Sequence, residues 1–213
     1  MSLFARLDDV HAAHDILRHP FYRRWSSGEL TPEDLATYAR EARHAIVALA
    51  DVAARAAESA PGDRRAELDR HAAEEAAHVA LWDDFAAAVG ADGPGVPAPE
   101  TASCVQAWTG GGTRDHVGSL VALHTIESPQ PRISETKAEG LARFYGIDGG
   151  ARAAYFTLHA EHDHVHAAEA RHLIEQDLVT ADEDALVADA ESILRGYWTL
   201  LDGVERLRGR RPA

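Results

Sequence analysis

A histidine-rich segment at residues 155–174 constrains the fold and chemistry of this chain more than any other stretch. It reads YFTLHAEHDHVHAAEARHLI, and nothing in it breaks a helix. Each helical residue turns by about 100°, so His159, Asp163 and His166 lie within about 40° of one another on one face. Two imidazoles and a carboxylate on one stripe can bind a metal ion, but the same pattern also suits a solvated polar face. The rest of the chain decides between these interpretations.

Composition restricts the partners of the chain. A net charge of −14 argues against nucleic acid. Cys104 is the single cysteine of the 213 residues, which excludes an intramolecular disulfide and a thiolate cluster, so metal ligands must come from carboxylates and the 13 histidines. We see no run of 18 apolar residues and no signal peptide, so we expect a cytoplasmic protein with no membrane partner.

Glycine and proline cluster at a few breaks, with alanine and leucine dominating between them, which predicts an all-α protein. Thr31 before Pro32 is a typical helix start, with a side-chain cap and proline at the first helical position. The loop at 90–101 could link two domains. Neither half looks able to bury a core alone, so we expect one domain over residues 1–213. The predicted helices are 2–18, 31–59, 63–89, 113–127, 132–145, 155–177 and 181–208.

Further carboxylates and a histidine share the spacing of a helical metal site. Glu75 and His78 are three residues apart and share a helix face. Glu127 ends a helix just before a Ser-Pro-Gln-Pro break, and Glu41 lies inside the apolar stretch EARHAIVALA. Each alone could be an ordinary surface acid, with Glu41 paired to His44. With the histidine-rich helix they supply four carboxylates and three histidines from four helices, which is about the set that two iron ions need.

Four segments in combination resemble the heme-oxygenase-like diiron oxidases, relatives of the TenA thiaminases and of pyrroloquinoline-quinone synthase. The resemblance covers nearly the whole chain and implies one bundle of about seven helices with a buried site. The segments are HPFYRRWSSGELTPEDLATYARE, HVALWDDFAAAVG, IESPQPRISETKAEGLARFYGID and FTLHAEHDHVHA.

The resemblance implies two iron ions as cofactors, with the choice of iron over manganese left open. One ion would take His78, Glu127 and His166, and the other Glu75, His159 and Asp163, although which ligand serves which ion stays unresolved.

One departure from the family pattern concerns the first ligand helix. Many members have Glu-x6-His there, whereas His71 stands seven residues before His78 and Glu75 takes the place of that glutamate. The alkene-forming fatty-acid decarboxylases also have this Glu-x2-His spacing, with a further glutamate at the position that matches Glu41. The nitrogen-oxygenating members recruit a similar carboxylate, so the resemblance makes Glu41 a seventh candidate ligand and a catalytic residue.

The leading functional hypothesis is a diiron oxygenase that uses dioxygen and an external electron donor to oxidise a small metabolite. Because of Glu41, we favour N-oxygenation of a small amine or amino-heterocycle. Family members often dimerise, so a homodimer is also an expectation.

The main competing hypothesis is a self-sacrificing para-aminobenzoate synthase. The resemblance places its consumed tyrosine at Tyr22 and its amine-donating lysine at Lys137, with Tyr38 nearby. Ile126 replaces a third tyrosine beside the central glutamate, which argues against this activity, and Lys137 could be an exposed helix lysine. Three further hypotheses are oxidative C–C cleavage of an amino or fatty acid, a thiaminase using Cys104, and a metal-free binding protein.

Overall fold

The structure, a computed structural model, describes residues 1–91, 93–110, 114–178 and 181–208. These residues form nine α-helices and two single 3₁₀ turns, so the predicted all-α class is confirmed. None of the described helices combines the length and apolar character that a membrane span needs. The helices are α1 (Leu3–Ala13), α2 (Pro20–Ser27), α3 (Pro32–Ser59), α4 (Arg65–Ala88), α5 (Pro99–Thr109), α6 (His116–Glu127), α7 (Gln130–Phe144), α8 (Ala154–Asp177) and α9 (Glu183–Arg208).

The start of α3 follows directly from its sequence. The Thr31 hydroxyl accepts a hydrogen bond from the Asp34 amide at 3.2 Å, and the Asp34 carboxylate accepts one from the Thr31 amide at 3.0 Å. This reciprocal capping satisfies two amides that the helix itself leaves unpaired, and Pro32 supplies the fixed φ of the first helical position. The predicted bounds of this helix are therefore confirmed to within one residue.

Two short helices differ from the sequence prediction. The helix α2 lies in a segment that the sequence presents as an interruption, where the His19 ring accepts a hydrogen bond from the Phe21 amide and Pro20 occupies the first position. The helix α5 begins at Pro99, inside the predicted 90–101 loop. Both errors have one cause, because proline breaks a helix interior but is well suited to a helix start. Residue 113, the predicted start of the next helix, lies outside the described residues.

The long helix α3 packs against α4, α5, α6 and α9. One large apolar core runs along it and takes side chains from Ile16 to Val204, on both sides of the 90–98 loop. That loop therefore connects helices of one bundle. An aromatic cluster at the centre of this core includes Trp25, Tyr38, Trp82, Phe85 and Phe156, all fully buried.

Candidate metal centre

Two helices present the same stripe of ligand-type residues. On α4, His71, Glu75 and His78 stand at positions i, i+4 and i+7, and α8 repeats this spacing at His159, Asp163 and His166. All six side chains are buried. Glu127, the last residue of α6 and also buried, completes the set. Three helices thus bring four imidazoles and three carboxylates into the interior of the bundle.

The ligand atoms form two groups that share one carboxylate. His71, Glu75, Glu127 and His166 make one group, and Glu75 makes the other with His78 and His159; within each group the ligand atoms lie within 4.8 Å of one another. The His78 and His159 ring centroids are 4.7 Å apart, and those of His71 and His166 are 4.2 Å apart. Two adjacent groups with Glu75 in common are the arrangement that a pair of bridged ions needs.

The unsatisfied polar atoms of these side chains show that the site fits a metal. His71 Nε2 lies 2.8 Å from a Glu127 oxygen and His78 Nδ1 lies 3.0 Å from a Glu75 oxygen, as ion pairs without hydrogen-bond geometry. The following buried atoms therefore have no hydrogen-bond partner among the described residues: His71 Nε2, His78 Nδ1, both Glu127 oxygens, His159 Nε2, both Asp163 oxygens and His166 Nδ1. Burying polar atoms without partners costs several kcal/mol each in an apolar medium, and native proteins rarely tolerate it. Coordination of cations by these lone pairs would remove that cost.

The outer nitrogens of two histidines are held in a way that directs the inner ones to the site. The Nδ1–H of His159 donates to the Tyr155 carbonyl at 2.7 Å, which leaves Nε2 as the free lone pair. His166 Nε2 lies 3.2 Å from a Glu74 oxygen, so its Nδ1 faces inward. Such outer-sphere partners fix the tautomer and ring orientation of metal-ligating histidines.

The pKa values of the site indicate that, without metal, protons neutralise the carboxylates that metal ions would otherwise neutralise. Burial, reinforced by Glu127 and Glu75, raises the pKa of Asp163 to about 9. Burial alone would lower the pKa of His71, but the Glu127 carboxylate 2.8 Å away outweighs it and raises this pKa to about 9. Burial also raises the pKa of Glu127 itself. Without metal, the clustered carboxylates therefore retain protons or a protonated histidine at neutral pH.

The structure places five of the six expected ligands in these two groups but combines them differently, and the sixth, Asp163, is buried near Glu127 and Glu75 without belonging to either group. Glu127 and His166 lie with His71, whereas His78 lies with His159. His71 was missed as a candidate ligand because the family pattern expects glutamate at its position. The signal was nevertheless present, since His71-x3-Glu75-x2-His78 has the spacing of the α8 stripe.

Glu41 does not join this centre, which corrects the expectation that it is a ligand. Its carboxylate accepts hydrogen bonds from the Ala98 amide at 3.0 Å and from the Thr101 hydroxyl. Ala98 and Thr101 form the first turn of α5, where unpaired amides and the helix dipole favour a negative charge. The buried charge of Glu41 is thus compensated by a helix N-terminus rather than by a metal ion or His44.

The residues Tyr22, Tyr38 and Lys137 form a second buried polar group. The Tyr22 hydroxyl is hydrogen-bonded to the hydroxyls of Tyr38 at 3.0 Å and of Tyr197 at 3.1 Å. The Lys137 ammonium donates to the Tyr197 hydroxyl at 3.5 Å and lies 5.5 Å from the Tyr22 ring centroid. Tyr197, contributed by α9, was not identified from the sequence because its partner Tyr22 is 175 residues away along the chain.

Lys137 is the single lysine of the chain and is 2% exposed, so the interpretation as an exposed helix lysine is wrong. Besides Tyr22, its amine faces the rings of Tyr38, Trp82 and Phe156 at 5.6–6.0 Å. Burial in this aromatic box lowers its pKa to about 7. Burial therefore favours the neutral, nucleophilic form of this amine.

A layer of aromatic side chains lies between the tyrosine–lysine cluster and the ligand cluster. The ring of Tyr155 stacks on the imidazole of His159 with centroids 4.0 Å apart, and Trp82 contacts Tyr155 at 4.9 Å and Tyr38 at 5.8 Å. The tyrosine–lysine cluster is thus separated from the ligand cluster by side chains that exclude water.

Comparisons with known proteins agree with this geometry. The model of a family described as "Iron-containing redox enzyme" matches residues 36–202. The 4-aminobenzoate synthase of Chlamydia muridarum is 31% identical over 95% of this chain and 89% of its own length. The 4-aminobenzoate synthase of Nitrosomonas europaea is 29% identical over 93% of this chain and 89% of its own.

Solved structures match the fold. A TenA homolog from Pseudomonas syringae pv. tomato superposes with a TM-score of 0.77 at 16% identity, covering 96% of this chain and 93% of its own. A domain with a heme oxygenase-like fold from Shewanella denitrificans has a TM-score of 0.76 at 21% identity, covering 98% and 94%. At these identities the likeness establishes the fold alone.

Replacing Glu41 should reduce stability without removing metal. Glu41→Ala leaves the first turn of α5 without its cap, and we expect the free energy of unfolding to fall by about 1–3 kcal/mol. Metal content per folded chain should stay at the wild-type value. Urea unfolding and elemental analysis measure the two quantities, with Glu58→Ala, an exposed acid on the same helix, as the matched control. Loss of metal with unchanged stability would contradict the assignment.

Replacing His71 tests its place in the ligand set. We expect His71→Ala to lower the metal content by about one ion per chain, because Glu75, His78 and His159 remain for the other. The exposed His164 on α8 provides a matched control, His164→Ala, that should bind metal as the wild type does. Equal metal content in both variants would exclude His71 as a ligand.

The metal-free protein should lose stability as the pH rises from about 7 to 9. Asp163 and His71 both have folded pKa values near 9, above their unfolded values, so the folded state holds extra protons across this range and gives them up as the pH rises. Thermal unfolding should show a falling midpoint for metal-free protein and a smaller fall for metal-loaded protein, in which cations replace these protons. A metal-free midpoint that rises over this range would contradict the assignment.

Proposed function

The chain belongs to the iron-containing redox enzymes, within the heme-oxygenase-like diiron oxidases, and we propose that it is a 4-aminobenzoate synthase that consumes its own side chains. The observation that carries the proposal is the buried amine of Lys137 among three hydrogen-bonded tyrosines, beside a cluster of iron ligands. Two relatives of that name match nearly the whole chain. Iron held by His71, Glu75, His78, Glu127, His159, Asp163 and His166 would supply redox chemistry with dioxygen.

A comparison of reactant and product defines what the side chains contribute. Tyrosine already contains the aromatic ring and the benzylic carbon of 4-aminobenzoate, and lysine contains the amine. The Cα–Cβ bond of one tyrosine must break, and its Cβ must be oxidised to a carboxylate. A carbon–nitrogen bond must replace the phenolic carbon–oxygen bond, whose oxygen leaves as water. The Nζ–Cε bond of the lysine must break, with Cε oxidised to an aldehyde. Dioxygen is the oxidant, and an external electron donor balances the electrons.

Lys137 is suited to the role of nitrogen donor. Its pKa of about 7 leaves the amine largely uncharged at slightly alkaline pH, with a lone pair available for bond formation. The amine lies 5.5 Å from the ring centroid of Tyr22 and 5.7 Å from that of Tyr38. Because the side chain is enclosed by Trp82 and Phe156, water does not compete with the ring for the amine.

Tyr22 is the tyrosine best placed to supply the ring. Its hydroxyl is the central member of the tyrosine cluster, bonded to those of Tyr38 and Tyr197. Burial raises the pKa of Tyr22 well above its usual value, so the phenol keeps its proton until an oxidant removes an electron. Tyr38 and Tyr197 can then relay that proton away from Tyr22 along the existing hydrogen bonds.

Tyr197 supplies a third phenol to the cluster, although position 126 lacks the tyrosine that the resemblance expects. The resemblance expects a tyrosine beside the central glutamate, where this chain has Ile126. In the folded protein, α9 provides a third hydroxyl to the cluster from a different direction. The absence of a tyrosine at 126 therefore does not leave Tyr22 and Lys137 with fewer phenolic partners.

N-oxygenation of an external amine, the expectation based on Glu41, has no support in the site, because Glu41 caps α5. A thiaminase-type nucleophile is also unsupported. Cys104 is buried, and burial raises its thiol pKa far above neutral. Oxidative cleavage of an external amino or fatty acid has no specific observation in its favour.

The proposal predicts 4-aminobenzoate without any added substrate. Protein supplied with ferrous iron, oxygen and a reductant should release at most one molecule per chain. Because Lys137 is the sole lysine, protein made with ¹⁵N-lysine carries the label in the side-chain amine of that one residue. Mass spectrometry should find one ¹⁵N in the product. Unlabelled product, or more than one product per chain, would contradict the proposal.

Matched variants separate the roles of the side chains. Lys137→Ala and Tyr22→Phe should reduce product to background while iron content stays unchanged. Tyr145→Phe, which removes a hydroxyl bonded to Leu30 and Trp25 rather than to the cluster, should keep the wild-type yield. A full yield from Tyr22→Phe with none from Tyr38→Phe would transfer the role of ring donor to Tyr38.

A further inference from the structure

A cavity that Tyr197 borders has no role in the chemistry described so far. It has a volume of about 320 Å³ and lies between α1, the turn that follows it, α7 and α9. Its walls are mainly apolar: Ile16, Trp108, Ile126, Ile133, Ile193 and Leu194. Ligand sites range from about 300 to 1,000 Å³, so this cavity suits a molecule with a single ring.

Polar groups mark the two ends of the cavity. Arg132 lies at the outer end, with a side chain that is 63% exposed. Tyr197 lies at the inner end, is 7% exposed, and bonds through its hydroxyl to Tyr22 and Lys137. His11 and His14 also border the cavity, held by the Thr125 carbonyl at 3.0 Å and by Glu191 at 3.4 Å.

The outer end offers a guanidinium that a carboxylate can bind in place of Asp15. Asp15 is the single acid among the described residues that line the cavity, and its Oδ2 pairs with the Arg132 guanidinium at 2.6 Å. The other oxygen of Asp15 accepts a hydrogen bond from the Leu17 amide at 3.1 Å and caps the turn at Ile16–Arg18. Asp15 can therefore release Arg132 to a competing carboxylate and keep a partner of its own. A guanidinium matches the two oxygens of a carboxylate geometrically.

We infer that this cavity binds an aromatic monocarboxylate with a second polar group in the para position, as in the 4-aminobenzoate formed beside it. The carboxylate pairs with Arg132, the ring packs between Trp108, Ile133 and Ile193, and the para substituent points toward Tyr197. The identity of the ligand rests on the proposed function, whereas the cavity and its two polar ends do not.

The position of Tyr197 connects the cavity with the cluster in which the proposed reaction takes place. The same side chain contacts the tyrosine–lysine cluster and forms a wall of the cavity. A product released from the cluster therefore needs to pass one ring to reach the cavity, whose outer end opens to solvent near Arg132. The cavity then serves as the exit site of the enzyme.

Binding of added 4-aminobenzoate to the purified protein tests the inference independently of synthesis. Isothermal titration calorimetry should show saturable binding of one molecule per chain. Arg132→Ala should weaken it about tenfold or more, because a charge-assisted pair is lost. Ala12→Trp places a large ring at an exposed residue of the cavity rim and should weaken it similarly without disturbing the core. Arg65→Ala removes another surface arginine paired with an acid and should bind as the wild type does.

Ligand controls define the chemistry of the site. Aniline, which lacks the carboxylate, should bind at least tenfold more weakly than 4-aminobenzoate, and octanoate, an acid without a ring, should also bind more weakly. Absence of saturable binding to the wild type, or wild-type affinity in the Arg132→Ala and Ala12→Trp variants, would overturn the inference. Binding by a protein that releases no 4-aminobenzoate of its own would support the cavity and reject the proposed function. Release of 4-aminobenzoate by a protein that shows no saturable binding would support the proposed function and reject the cavity as a binding site.

Discussion

The rest of this structure depends on one constraint, the burial of polar atoms that have no hydrogen-bond partner among the described residues. In the ligand cluster these atoms are the carboxylate oxygens of Glu127 and Asp163 and one ring nitrogen on each of four histidines. In a metal-free interior these groups repel or trap protons, as the raised pKa values of Asp163 and His71 indicate. The bundle holds them because their backbones belong to α4, α6 and α8, whose other faces are packed into the core. Bound cations would remove the electrostatic cost, so we expect folding stability to depend on metal binding.

A second buried group gains its reactivity from the same exclusion of water. Lys137 has no carboxylate beside it among the residues that the structure describes, and desolvation lowers its pKa to about 7. The aromatic rings that enclose the amine also include the proposed ring donor, Tyr22, and the layer that reaches His159. The chain has twenty arginines and one lysine, and that lysine lies in the core. Lys137 therefore contributes nothing to the charge of the protein surface. The proposed synthesis of 4-aminobenzoate accounts for both the burial of Lys137 and the tyrosines around it.

The local spacing of residues predicted much of the ligand cluster, whereas contacts between residues far apart in the chain could not be predicted. The α8 stripe and the Glu75–His78 pair follow from the helical period, and this part of the site was identified from the sequence. His71 follows the same period, but the expectation of a glutamate at its position concealed it. The burial of Glu41 was recognisable from its apolar neighbours, but its partner was not, because α5 begins at a proline within the predicted loop. Tyr197 joins Tyr22 through tertiary packing, for which no local pattern exists.

The central claim is that the protein itself is the substrate, and peptide mapping by mass spectrometry tests it most directly. Protein is digested before and after exposure to ferrous iron, oxygen and reductant, and the peptides containing residues 22 and 137 are compared. Both peptides should lose their native mass in proportion to the 4-aminobenzoate released, and the peptide containing Tyr145 should stay unchanged. Release of 4-aminobenzoate by chains whose residues 22 and 137 keep their native masses would contradict it.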